Sequence, residues 1–95
     1  MGHLGNVYAR SGQSEAALDV ITHLEETVKN EGIGRYEIAL VYAGLGKKTE
    51  AFKWLEEAYK TRDEGLSYLK IDPCLDPLRT DPRFDDLLSR VGLAQ

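Results

Sequence analysis

The sequence predicts an all-α protein: antiparallel helix-turn-helix repeats followed by a short helical cap. Three observations carry that reading. A segment recurs 34 residues along the chain, where Val7-Tyr8-Ala9-Arg10-Ser11-Gly12 returns as Val41-Tyr42-Ala43-Gly44-Leu45-Gly46. Leu4 lines up with Ile38, Ala17 with Ala51 and Ile21 with Leu55, and a fixed period of this size marks a stacked repeat architecture. Apolar residues recur at helical spacing, and Gly, Ser, Thr and Asp-Pro punctuate them where helices begin and end.

The first element is a short helix over residues 3–10, with Leu4, Val7 and Tyr8 on one face. Ser11-Gly12-Gln13 forms a turn, and Ser14 is placed to cap a second helix over residues 15–30. Ala16, Ala17, Val20, Ile21, Leu24 and Val28 form its apolar stripe. Gly32 and Gly34 break the pattern. A third helix over residues 35–45 is apolar on more than one side (Tyr36, Ile38, Ala39, Leu40, Val41), which predicts a helix sandwiched between neighbours. Gly46 ends it, and Thr49 is placed to cap a fourth helix through residue 61, with Ala51, Phe52, Leu55, Ala58 and Tyr59 inward. Trp54 lies off that stripe and is expected on the following segment.

The tail leaves the period. Leu66, Tyr68, Leu69 and Ile71 cluster after Gly65, and three Asp-Pro pairs follow at residues 72–73, 76–77 and 81–82. Each sets Asp at an N-cap and Pro in the first turn of a short helix. The last opens a helix on which Phe84, Leu87, Leu88 and Val91 follow the i, i+3, i+4, i+7 rule, with Gly92 as its stop. The division is one domain over residues 1–95: repeat one (1–31, first helix clipped), repeat two (32–64) and a capping tail (65–95).

Composition sets further bounds. At 42% hydrophobic residues a packed core is feasible, but a chain of 95 residues has a low ratio of core to surface. Cys74 is the only cysteine, so no disulfide compensates, and a lone thiol fits a reducing, cytoplasmic setting. The net charge is −4 with no basic stripe, which argues against nucleic acid and anionic membranes as partners. Glu15, Asp19, Glu25, Glu26 and Glu31 oppose only Lys29 and read as a solvated face rather than a docking surface for a basic partner. No membrane-spanning run or leader is visible, and Met1-Gly2 lacks the Ser or Thr at residue 6 that myristoylation requires.

Each candidate for chemistry fails a physical test. His3 and His23 lie in different helices with no evident carboxylate or cysteine to complete a metal site. Cys74 stands in an Asp-rich tail, which discourages a thiolate, and reads as a packing residue. Glu25-Glu26 and Glu56-Glu57 each point to two helix faces, and Gly44-Leu45-Gly46 closes a helix where a phosphate loop would open one. No catalysis, cofactor or metal is expected.

On these residues the chain resembles the tetratricopeptide repeat family. Leu4-Gly5, Tyr8, Gly12, Ala17 and Leu24 fit one copy of its helix pair, and Ile38-Ala39, Tyr42, Gly46, Ala51 and Ala58 fit the next. The run Trp54-Leu55-Glu56-Glu57-Ala58-Tyr59, Tyr68-Leu69-Lys70 and Leu78-Arg79-Thr80-Asp81-Pro82-Arg83-Phe84 resembles the C-terminal end of such arrays in bacterial multidomain proteins. The chain departs from the family in lacking the closing proline of each repeat, with Lys29 and Asp63 in those places, and in having only two repeats. Asn6 matches one residue of the family's clamp for acidic chaperone tails, but Gly2 and Glu37 replace a lysine and an asparagine, which speaks against that function.

The resemblance implies a protein-protein interaction scaffold whose first helices line a concave face. That face would hold His3, Asn6 and Arg10 on one ridge and Ile33, Tyr36, Glu37 and Leu40 on the next, with Tyr36 and Leu40 as apolar contacts to a protein or peptide. The competing expectation is that these residues pack on the tail or on further repeats upstream. Two other functions stand beside it: a homodimer formed through Leu4, Val7 and Tyr8, and a small-molecule-sensing domain of a larger protein.

Overall fold

The computed structural model describes residues 2–69 and 71–94. Met1, Lys70 and Gln95 lie outside the described residues, and with them the first residue of Met1-Gly2 and the last of Tyr68-Leu69-Lys70. The described chain is helices and turns without a strand: α1 (Gly2–Arg10), α2 (Ser14–Glu31), α3 (Arg35–Gly44) and α4 (Lys48–Lys60) come first. Two 3-10 segments (Glu64–Tyr68 and Pro73–Leu78) and α5 (Pro82–Ala94) complete it. None of the described helices is long and apolar enough to cross a membrane.

Three-residue turns reverse the chain between successive helices from α1 to α4. Two of these turns are alike in detail. Gly12 and Gly46 both take left-handed φ values, 83° and 77°, which glycine adopts without a Cβ penalty. Around them Gln13 N–H donates to Tyr8 O at 2.8 Å and Lys47 N–H to Tyr42 O at 3.0 Å. Each bond satisfies one of the carbonyls left free in the last turn of its helix. Ser14 and Thr49 do not cap their helices: α2 and α4 begin behind Gln13 and Lys47 with no side-chain cap bond.

α3 is the hub, packed against α1, α2, α4 and both 3-10 segments. Its two faces divide the interior. Ile38 and Val41 join Ala17, Val20, Ile21 and Leu24 of α2 in a smaller cluster. Tyr36, Ala39, Leu40 and Ala43 join α4, the tail and α5 in the main core. Trp54 lies against both clusters. The five acidic residues of α2 named above are all exposed, as a solvated face requires.

The orientation of α1 corrects the sequence reading. Its inward face is Gly5 and Asn6, with Ala9 half-buried, while Leu4 and Val7 are 50% and 48% exposed. The cause is a close approach of α1 to α3. A Cβ on Gly5 would stand 2.6 Å from Val41 Cγ2, and one on Gly44 would stand 2.9 Å from the Asn6 carbonyl oxygen. Asn6 Nδ2 donates to Leu40 O at 2.7 Å and ties the two helices, and its Oδ1 is buried without a partner among the described residues.

In the tail, Asp72 accepts from Cys74 N–H at the start of the second 3-10 segment, and Asp81 accepts from Arg83 N–H at the start of α5. The pair Asp76-Pro77 opens no helix; it lies inside the second 3-10 segment. Gly92 does not stop α5, which continues to Ala94. Phe84, Leu87 and Val91 are buried against the main core. Arg83 stacks over Phe52 at 4.6 Å, and Arg90 forms a two-pronged ion pair with Glu56, so α5 is fixed to α4 at both ends.

Candidate functional site

Chain reversal gathers the start of α1, the end of α2, the start of α3 and the end of α4 at one end of the molecule. A cleft of about 600 Å³ opens there between the α2–α3 turn and the first 3-10 segment. Leu24, Ile33 and Tyr68 supply apolar wall, and His3, Glu37 and Arg62 supply polar groups. Ile33 and Tyr68 stand 59% and 58% exposed at its rim. Tyr36 forms part of the wall, and its backbone N–H donates to Asp63 Oδ2 at 3.3 Å.

Beside the cleft lies a buried polar cluster. Asp72 is 4% exposed, and three groups converge on its carboxylate. The Tyr36 hydroxyl donates to Oδ2 at 2.8 Å, Cys74 N–H donates to Oδ1 at 3.0 Å, and His3 Nε2 stands 3.3 Å from Oδ2. Burial pushes the Asp72 carboxyl up, but the Tyr36 hydroxyl, Cys74 N–H and His3 outweigh it and leave it below its ordinary value. Burial first, then the hydrogen bond to Asp72, drives the Tyr36 hydroxyl well above its ordinary value. Burial and the Asp72 charge hold Cys74 as a neutral thiol, pushed up to about 11.

The expected concave-face residues therefore part company. His3, Ile33, Tyr36 and Glu37 meet at the cleft. Asn6 and Leu40 do not: both are fully buried, Asn6 by the close approach of α1 to α3 and Leu40 in the main core that α3 shares with the tail. Tyr36, expected as an apolar contact for a partner, is 4% exposed, its ring lying against Gly65 and its hydroxyl on Asp72. Arg10 is exposed, and its charge acts on Cys74 from the same side. Leu4 and Val7 are exposed, and Tyr8 is half-buried against the smaller cluster.

The expectation that no carboxylate or cysteine would accompany a histidine is overturned for His3. One donor atom each from His3, Asp72 and Cys74 lies within 4.8 Å of the others. His23 is exposed on α2, outside that group. The local signal at Asp72 was legible, since Asp-Pro marked it as a cap. Its partners Tyr36 and His3 lie 36 and 69 residues away, and no spacing rule connects them. Comparison of the chain with protein-family models, with curated proteins and with solved structures finds no match.

Proposed function

We propose that the chain is a non-catalytic protein-interaction scaffold of tetratricopeptide-repeat type, a two-repeat solenoid fragment whose tail caps the stack. The 34-residue period and the matching turns at Gly12 and Gly46 support the repeat reading. So does the packing of α1 on α3 through Gly5, Gly44 and Asn6. The lone thiol fits a cytoplasmic setting.

The observation that carries the function is the end cleft, with apolar Ile33 and Tyr68 exposed at its rim and His3 and Glu37 within reach. Apolar anchors with a few polar groups suit a short peptide segment. The tail covers the broad face of α3, so the cleft replaces the concave face as the docking place. Peptides selected from a displayed library on the wild-type protein should lose binding to Ile33→Asp and Tyr68→Ala, with unchanged circular dichroism. Selected peptides that bind both variants as tightly as wild type would remove the cleft as the site.

A second reading, self-association, is favoured by one observation. Leu4 and Val7, one helical turn apart, are both about half exposed. Light scattering across a concentration series should show a dimer that Leu4→Glu disperses. A monomer throughout would eliminate this reading and leave the cleft.

A further inference from the structure

We propose that His3, Asp72 and Cys74 form a site for one divalent transition-metal ion of the zinc class, at the junction of α1 with the tail. The residue types are the first support. Imidazole nitrogen, carboxylate oxygen and thiolate sulfur are the donors zinc takes in four-coordinate sites. The three come from two chain segments far apart in sequence, so local helix geometry does not account for their meeting.

Geometry is the second support. Bond lengths of about 2.0–2.3 Å set donor separations of about 3.3–3.7 Å in a tetrahedral site. His3 Nε2 and Asp72 Oδ2 already stand 3.3 Å apart, and the Cys74 sulfur lies within 4.8 Å of both. His3, whose side chain is 68% exposed, has room to swing toward the other two donors.

The surroundings are built to hold such ligands. Asp72 is fixed before any ion arrives: Cys74 N–H occupies Oδ1, and the Tyr36 hydroxyl orients Oδ2, the outer-shell role that keeps a ligating carboxylate in place. Arg79 Nη2 holds the Asp72 carbonyl at 3.0 Å. Binding displaces the Cys74 thiol proton to solvent, and the resulting thiolate together with the Asp72 carboxylate balances the charge of a divalent ion. His3 also lines the cleft, and a water can supply the fourth ligand. The ion would brace α1 against the cap, and this holds whether or not a peptide occupies the cleft.

The test uses the metal-free protein, with Co²⁺ as the spectroscopic probe and Zn²⁺ in competition with a chromophoric chelator. One equivalent of Co²⁺ should give tetrahedral visible bands and a thiolate-to-cobalt charge-transfer band, both removed by Zn²⁺. His3→Gln changes an exposed side chain, so its circular dichroism should match wild type while Zn²⁺ affinity falls by about 100-fold. His23→Gln should bind as wild type does. Cys74→Ser should lose the charge-transfer band; if it fails to fold, the wild-type cobalt spectrum and His3→Gln decide. Absence of the sulfur band in the wild-type protein, or undiminished affinity in His3→Gln, would overturn the site.

Discussion

The Tyr36 hydroxyl donates a 2.8 Å hydrogen bond to Asp72 across 36 residues of chain, a polar link between the hub helix and the tail beside their shared apolar core. Tyr36 lies in the first turn of α3, and Asp72 caps the second 3-10 segment. The same carboxylate therefore shapes the tail locally and docks it at long range. The docked tail covers α3, confines access to the end cleft, and brings Cys74 toward His3.

Tyr36→Phe isolates that bond, because the ring stays and only the hydroxyl goes. Hydrogen bonds to charged groups contribute about 1.5–3 kcal/mol. The variant should lose stability in that range, read as a lower urea midpoint at unchanged slope. A midpoint equal to wild type would mean that the other donors to Asp72 suffice to hold the tail.

Gly65→Ala attacks the same joint from the other side. A Cβ at Gly65 would collide with Tyr36 Cδ1 and stand 2.6 Å from Cγ. The ring is buried and its hydroxyl is held by Asp72, so it cannot yield without releasing the tail. Overpacking of this kind costs about 1–3 kcal/mol. Combined with Tyr36→Phe, the loss should be smaller than the sum, since a ring freed from Asp72 can move. Strict additivity in urea unfolding would show that the two contacts act independently.

These contacts explain what the sequence could and could not reveal. The helices of the two pairs were legible because Ala17, Val20, Ile21 and Leu24, or Ala51, Phe52, Leu55 and Ala58, form apolar stripes of period 3.6. The inward face of α1 was not. It is built from Gly5, Asn6 and Ala9, which an apolar count passes over in favour of Leu4 and Val7. Close backbone approach selects for missing side chains, and period analysis weighs the side chains that are present. Asp72 was legible as a cap, but His3, Tyr36 and Cys74 converge on it only through the docking of the tail.

Gly44→Ala tests the close approach, because two effects oppose each other there. Alanine in place of glycine favours a helix interior by about 1 kcal/mol, and less here because Gly44 is the last residue of α3. Against that, the new Cβ would meet the Asn6 backbone oxygen and Nδ2 at 2.9 Å and Ala9 Cβ at 3.0 Å. A backbone oxygen cannot rotate aside, so separation of α1 from α3 should dominate and the variant should be less stable than wild type. Gly12→Ala is the comparison. It meets open space, and its cost of about 1 kcal/mol comes from the left-handed φ alone. A stabilised Gly44→Ala in thermal melts would show that α1 is held loosely.

The pair Glu56 and Arg90 gives the stability a pH dependence whose sign is fixed. Hydrogen bonding from Arg90 is the main cause holding the Glu56 carboxyl below its ordinary value, against the smaller opposing effect of burial. A depressed carboxyl contributes stability that is complete above its unfolded value and is lost as pH falls through the folded value. Both side chains are more than a third exposed, so solvent screening limits the contribution to about 1 kcal/mol or less. Glu56→Gln should therefore be slightly less stable than wild type at pH 7. The gap should close as pH falls below about 4, where the wild-type carboxyl is protonated as well. Urea unfolding of both proteins across that range measures the gap. A gap that stays constant into acid would mean that α5 is held to α4 by the packing of Phe84 and Leu87 and the stacking of Arg83 on Phe52, with the ion pair contributing nothing.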